Sequence, residues 1–375
     1  MLRMSADELA HGLPDDYWVD RAWETADQKP HMLPGYHFRH PFIGFMRDVV
    51  RICRLLRNSH PANDVYVHLK VQETTQKTVV ASEAAGAARY LFSTKGLRYA
   101  EEVERAYPGD KFHPYILLYL REASKLRYAS DVHSTDVQLA ANADFQKFSS
   151  HIENSEIDIA HLCNVLDGFF RRFACVIANE KLQTDVAKFE RAAEKTRTSF
   201  MKSSAHCTRR TLSKVIHLKL ERAASVPQFD RLLVEKTTGI SYDKITSARK
   251  AITKIINQEI PSSMLSGRFI HLRRNGRIGY WLETYVFLEN CTMEEYLRTR
   301  ERLVSGITMR CLNWRLDCAT IEFENYGTDE FVETLLLRCI MTMESEFYAQ
   351  ARTPGDSRRY FPTQRKPPSS LGDLF

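Results

Sequence analysis

The sequence predicts an α+β fold, with a helical N-terminal half followed by a small antiparallel sheet. Three observations carry this. Apolar residues recur at helical spacing almost throughout residues 97–223. Period-two runs follow after residue 226, separated by stretches of helical period. An Asn-Gly pair, Asn275-Gly276, divides two of those runs, and Asn-Gly is the strongest short-range hairpin signal because both central positions of a type I′ turn need positive φ.

Each element of the C-terminal half follows from its own residues. Arg231-Leu232-Leu233-Val234, after Pro227, predicts a first short buried strand. Over residues 242–258, Ile245, Ala248, Ile252, Ile255 and Ile256 take one helical face, with Lys244, Arg249, Lys250 and Lys254 opposite. Pro261 stops that helix. Residues 267–273 alternate, with Phe269, His271 and Arg273 on one face and Ile270 and Leu272 on the other. Residues 278–289 form the aromatic, β-branched return strand. Thr292-Met293-Glu294-Glu295 is a capping box that opens the next helix. Residues 315–324 alternate again, and residues 329–351 predict a C-terminal helix. The order is the βαββαβ of a ferredoxin-like sheet.

Upstream, residues 1–95 form an irregular or mixed segment. It holds an amphipathic helix at 43–56 and two strand-like runs at 65–69 and 77–80. Residues 96–226 form a helical, basic domain whose basic helix runs over 182–223; Ser225-Val226-Pro227 marks the break. The sheet domain occupies 227–352. The tail, 353–375, with Pro354, Gly355, Pro362, Pro367 and Pro368, is expected to be disordered.

Charge and composition narrow the classes. The chain has 375 residues and a net charge of +6, but residues 191–254 hold 15 Lys and Arg against 5 Asp and Glu. That asymmetry points to a polyanionic partner. No apolar run approaches a membrane span, and residues 1–10 do not read as a signal peptide, so a cytoplasmic protein without membrane partners is expected. The eight cysteines lack zinc-type spacing and read as reduced, buried thiols. A phosphate-binding glycine loop, a nucleophile elbow and a zincin helix are all missing. His31, His37 and His40 stand in a proline-rich stretch and read as surface residues, so no metal is assigned.

At residues 267–288 the chain resembles the replication-initiation proteins of inovirus-type filamentous phages and their prophage relatives, which are HUH endonucleases. The residues that carry the resemblance are Gly267-Arg268-Phe269-Ile270-His271-Leu272-Arg273, Arg274-Asn275-Gly276-Arg277 and Gly279-Tyr280-Trp281-Leu282-Glu283. In the family, the return strand carries two histidines around a hydrophobic residue and the first strand ends in a glutamate. Here Trp281 and Glu283 occupy the histidine positions and Arg273 the acidic one. The family's nucleophile helix carries a tyrosine with a lysine three residues later; the matching positions here are Ile340 and Met343.

The resemblance therefore implies a scaffold whose metal and nucleophile are lost, and no cofactor. Mg or Mn enters only if the centre works in an unusual form, with Tyr348 or Tyr360 replacing the nucleophile. The expected activity is binding of single-stranded or origin-like DNA without cutting. The candidate contacts are Arg197, Lys202, Arg209, Arg210, Lys214 and Lys219 for phosphates, with His271, Arg273, Trp281 and Tyr285 on one sheet face. Phe287 on that face reads as core. The alternatives are an active metal-dependent nicking enzyme built on Glu283 and a displaced tyrosine, and a regulatory module that binds protein partners.

Overall fold

The computed structural model describes residues 42–59, 65–71, 77–107, 110–128, 131–143, 158–208, 214–222, 242–275, 279–288, 291–310, 314–322, 347–350 and 360–364. It is an α+β structure with a helical layer and a five-stranded antiparallel sheet.

The helical layer begins with α1 (Ile43–Asn58), whose Ile43, Met46, Val50, Cys53 and Leu56 repeat at helical spacing and are buried. Strands β1 (Val67–Val71) and β2 (Lys77–Ala81) pair as a hairpin where the two strand-like runs were expected. Helices α2 (Glu83–Phe92) and α3 (Thr94–Ala106) share one residue as cap: Ser93 ends α2, and its hydroxyl accepts from the Gly96 amide to start α3. A two-residue strand, β3 (Lys111–Phe112), leads into α4 (Pro114–Tyr128). Pro114 sits at the first helical position, where a missing N–H costs nothing. Helices α5 (Val132–Asn142), α6 (Ile159–Ile177) and the long α7 (Glu180–Thr208) complete the layer.

The core of this layer is aromatic. Phe92 packs edge-on against Phe169 and Phe173, with ring centroids 4.7 and 5.3 Å apart. The buried Tyr119 hydroxyl donates to the Leu91 carbonyl at 2.8 Å, so its polar end is satisfied. Asp167 on α6 fixes the entry to β1: one carboxylate oxygen accepts from the amides of Tyr66 and Val67 at 2.7 and 3.1 Å, the other from Arg171 at 2.7 Å.

The sheet contains β4 (Lys214–Arg222), β5 (Leu265–Asn275), β6 (Gly279–Leu288), β7 (Trp314–Glu322) and β9 (Tyr360–Gln364), ordered β7-β4-β6-β5-β9. Every neighbouring pair is antiparallel. Helices α8 (Tyr242–Glu259) and α9 (Met293–Arg310) pack on one face. Their Ile252, Ile256, Leu303 and Ile307 form a core with Ile270, Leu272, Leu282 and Val286 of the strands. α8 ends before Pro261, and the capping box is formed: Thr292 Oγ1 accepts from the Glu295 amide while the Glu295 carboxylate accepts from the Thr292 amide.

Four expectations are corrected or fall elsewhere. The basic helix expected over 182–223 ends at Thr208, and residues 214–222 are a central strand instead. The strand expected at 231–234 lies outside the described residues. The hairpin closes on the pair Asn275 and Gly279, which is wider than a two-residue turn centred on Asn275-Gly276. The tail expected to be disordered supplies β9, and the end of the expected C-terminal helix supplies β8 (Ala349–Gln350), which pairs with β3. Through β8 the chain returns to the helical layer, where Tyr348 and Ala349 join its core.

Candidate functional site on one face of the sheet

Register brings five chemically distinct residues into one cross-strand row. Lys219 of β4 pairs with Asp317 of β7 on one side and Glu283 of β6 on the other. Glu283 pairs in turn with His271 of β5, and His271 with Tyr360 of β9. Directly opposed residues of antiparallel strands share a face. Asp317, Lys219, Glu283, His271 and Tyr360 therefore lie in order across all five strands on the face away from α8 and α9. The next row toward the hairpin holds Arg273 opposite Trp281.

The same face changes character along the strands. One row further from the hairpin, His217, Tyr285, Phe269 and Pro362 stand side by side. Beyond them come Val215, Phe287 and Gly267. The hairpin end is thus ionisable and the far end apolar. Phe269 and Phe287 are buried and meet edge to face, with centroids 5.0 Å apart. Phe287 is core, as its position suggests.

His271 is 1% exposed, so it offers no surface to a nucleic acid, which corrects its place among the expected contacts. Tyr285 is half-buried. On the opposite face, Arg268 is buried and hydrogen-bonds to Asn257 of α8; burial pushes its guanidinium below the ordinary value.

The expected phosphate contacts do not share one helix. Arg197 and Lys202 lie on α7, while Lys214 and Lys219 lie on β4. Arg209 and Arg210 lie outside the described residues, as do Ile340 and Met343. Tyr348, considered as a substitute nucleophile, is 4% exposed within the helical core, remote in role from the Glu283 row. Tyr360 stands two strands from Glu283 in that row. What sequence reading missed was Lys219, His271 and Tyr360 as neighbours of Glu283, and Asp317 altogether. The signal for β4 was present: Ile216, Leu218 and Leu220 alternate with His217, Lys219 and Glu221.

The donor set does not fit the divalent ion of the initiator family. Arg273, a fixed cation, pairs with Trp281, which has no lone pair to give. Among the described residues, no group of three or more His, Cys, Asp or Glu is placed to hold a metal. No helix among them is long and apolar enough to cross a membrane. Of the thiols described, Cys53 and Cys163 are buried as expected, whereas Cys175 is exposed.

Compared with protein-family models, curated proteins and solved structures, the chain matches none.

Proposed function

We propose that this chain is a cytoplasmic DNA-binding protein, related to inovirus-type replication initiators, that holds single-stranded or origin DNA without nicking it. The observation that carries this reading is the register of that face, which places Arg273 and Trp281, Lys219, and Tyr285 in three successive rows of the sheet, cationic and aromatic residue types that suit phosphates and stacked bases. The strand order β7-β4-β6-β5 with α8 and α9 supports a ferredoxin-like βαββαβ core, extended at one edge by β9. Phosphate neutralisation by Lys and Arg gives affinity that falls as salt rises.

A second reading rests on the adjacency of Glu283, His271 and Tyr360. In an atypical nicking centre, the Tyr360 hydroxyl would lose its proton to His271, its neighbour in register, with Glu283 on the far side of that imidazole, and attack a DNA phosphorus. A phosphotyrosine bond would form as the strand's P–O bond breaks, and the freed oxygen would take up a proton.

Fluorescence anisotropy with labelled single-stranded DNA, duplex DNA and RNA, across a salt series and with or without Mn, tests both. Tight, salt-sensitive, metal-independent binding of single strands with intact product supports the first reading. Cleavage of the strand, abolished by Tyr360→Phe, supports the second. No binding at low salt overturns both and favours a protein-binding module.

A further inference from the structure

A trough of about 800 Å³ runs along the helical layer where α4, the end of α6 and the first half of α7 meet β3 and β8. Its floor is apolar. Leu118 and Phe189 are buried beneath it, while Leu117 and Val176 stand 60% and 42% exposed at its surface. Its rim is cationic: Lys111, Arg121, Lys181 and Lys188 border it, against one acid, Asp185. Arg121 is shared with Glu122 at 3.2 Å, while the other three cations make no ion pair among the described residues.

From this geometry we infer that the trough is a docking site for an amphipathic helix of a partner protein, apolar on one side and acidic along its flanks. Two neighbouring helices with exposed aliphatic side chains between them offer the groove that a third helix fills. The stretch of α7 along the trough, from Lys181 to Ala192, spans about 16 Å, or about three turns of a docked helix. Leu117 and Val176 would lose their solvent exposure on docking, and the lysine ammonium groups would face the acidic flanks. Nucleic acid also carries negative charge, but bases need aromatic faces to stack on. The strongly exposed apolar side chains here, Leu117 and Val176, are aliphatic, while Phe112 is half-buried and Phe189 only 5% exposed. None of the residues lining the trough belongs to the sheet face, so peptide docking here is independent of DNA binding there.

The test is anisotropy of the full chain with three labelled probes. The first is a stapled helical peptide of about 16 residues, since shorter isolated helices are marginal, with leucines on one face and glutamates on the flanks. The second is the same peptide with lysines for glutamates. The third is a single-stranded oligonucleotide. The acidic peptide is expected to bind, the basic one about tenfold or more weakly. Leu117→Asp and the double change Lys181→Glu with Lys188→Glu should each weaken the acidic peptide about tenfold while leaving oligonucleotide binding unchanged. These substitutions fall on exposed side chains, and unchanged circular dichroism confirms the fold. Failure of the acidic peptide to bind, equal binding of both peptides, insensitivity to the substitutions, or loss of oligonucleotide binding in their place would overturn the inference.

Discussion

His113 and Glu190, 77 residues apart in sequence, are joined by a hydrogen bond from the imidazole Nε2 to the carboxylate at 3.1 Å. The imidazole Nδ1 accepts from the Tyr115 amide at 3.2 Å, which leaves the proton on Nε2 and fixes the tautomer. Arg54 of α1 donates to the same carboxylate oxygen at 2.9 Å. The His113 amide donates to the Tyr348 carbonyl at 2.9 Å, and its ring stacks on Phe347 with centroids 6.1 Å apart. One buried histidine thus ties α1, α4 and α7 to the segment that returns after the sheet.

Acid should loosen this junction. Burial pushes the His113 imidazole below its ordinary value, only partly offset by Glu190. The unfolded chain therefore takes up a proton near pH 6.5 that the folded chain resists, and stability falls as pH drops below that value. Glu190 acts in the same direction at lower pH. Burial raises its carboxyl, but the hydrogen bonds from His113 and Arg54 outweigh that and hold it below the usual range. Its contribution is present above pH 4.5 and is lost as pH falls toward the folded-state value. Melting temperature should decline steadily from about pH 7 to about pH 4, and His113→Gln should flatten the upper part of that decline. Glu190→Gln should cost about 1–3 kcal/mol in urea unfolding at neutral pH.

Two glycines should respond to alanine in opposite ways. A Cβ at Gly96 would overlap the carbonyl oxygens of Leu91 and Tyr90, backbone atoms at the tight α2–α3 junction that cannot swing aside. Gly96→Ala should destabilise by about 1–3 kcal/mol or more. Gly86, inside α2, has open space where its Cβ would be. Gly86→Ala should stabilise by about 0.5–1 kcal/mol. Denaturant midpoints of the two variants, measured together, check both signs.

Asp167→Ala should cost about 2–4 kcal/mol, because it removes the carboxylate that accepts from the amides of Tyr66 and Val67 and that bonds the Arg171 guanidinium. Hydrogen exchange should show faster exchange of those two amides, with the sheet amides of β5 and β6 unchanged. Equal acceleration throughout would mean that Asp167 holds the whole fold rather than this junction.

The elements that the sequence announced were those with local causes. The Thr292 capping box, the Pro261 stop and the alternation in residues 267–273 each act over a few residues, and each forms where expected. The failures have longer reach. Residues 214–222 alternate, but their lysines and arginine continued the positive charge of the preceding helix, and charge is silent about period. Residues 360–364 carry Pro362, which argues against a strand except at an edge, and β9 is an edge strand. The site was legible one strand at a time: Glu283 and Trp281 stood out, but the row from Asp317 to Tyr360 depends on the register of five strands. The His113 junction joins residues 77 and 136 positions apart, and no local pattern encodes such pairs.

The most direct test of the central claim is photocrosslinking of single-stranded DNA carrying 5-iododeoxyuridine to the full chain, with the crosslinked peptides mapped by mass spectrometry. Binding on the graded sheet face predicts crosslinks within residues 273–285, centred on Trp281 and Tyr285, lost on Trp281→Ala and reduced by Lys219→Glu. Crosslinks confined to the helical layer, or none at low salt, would contradict it.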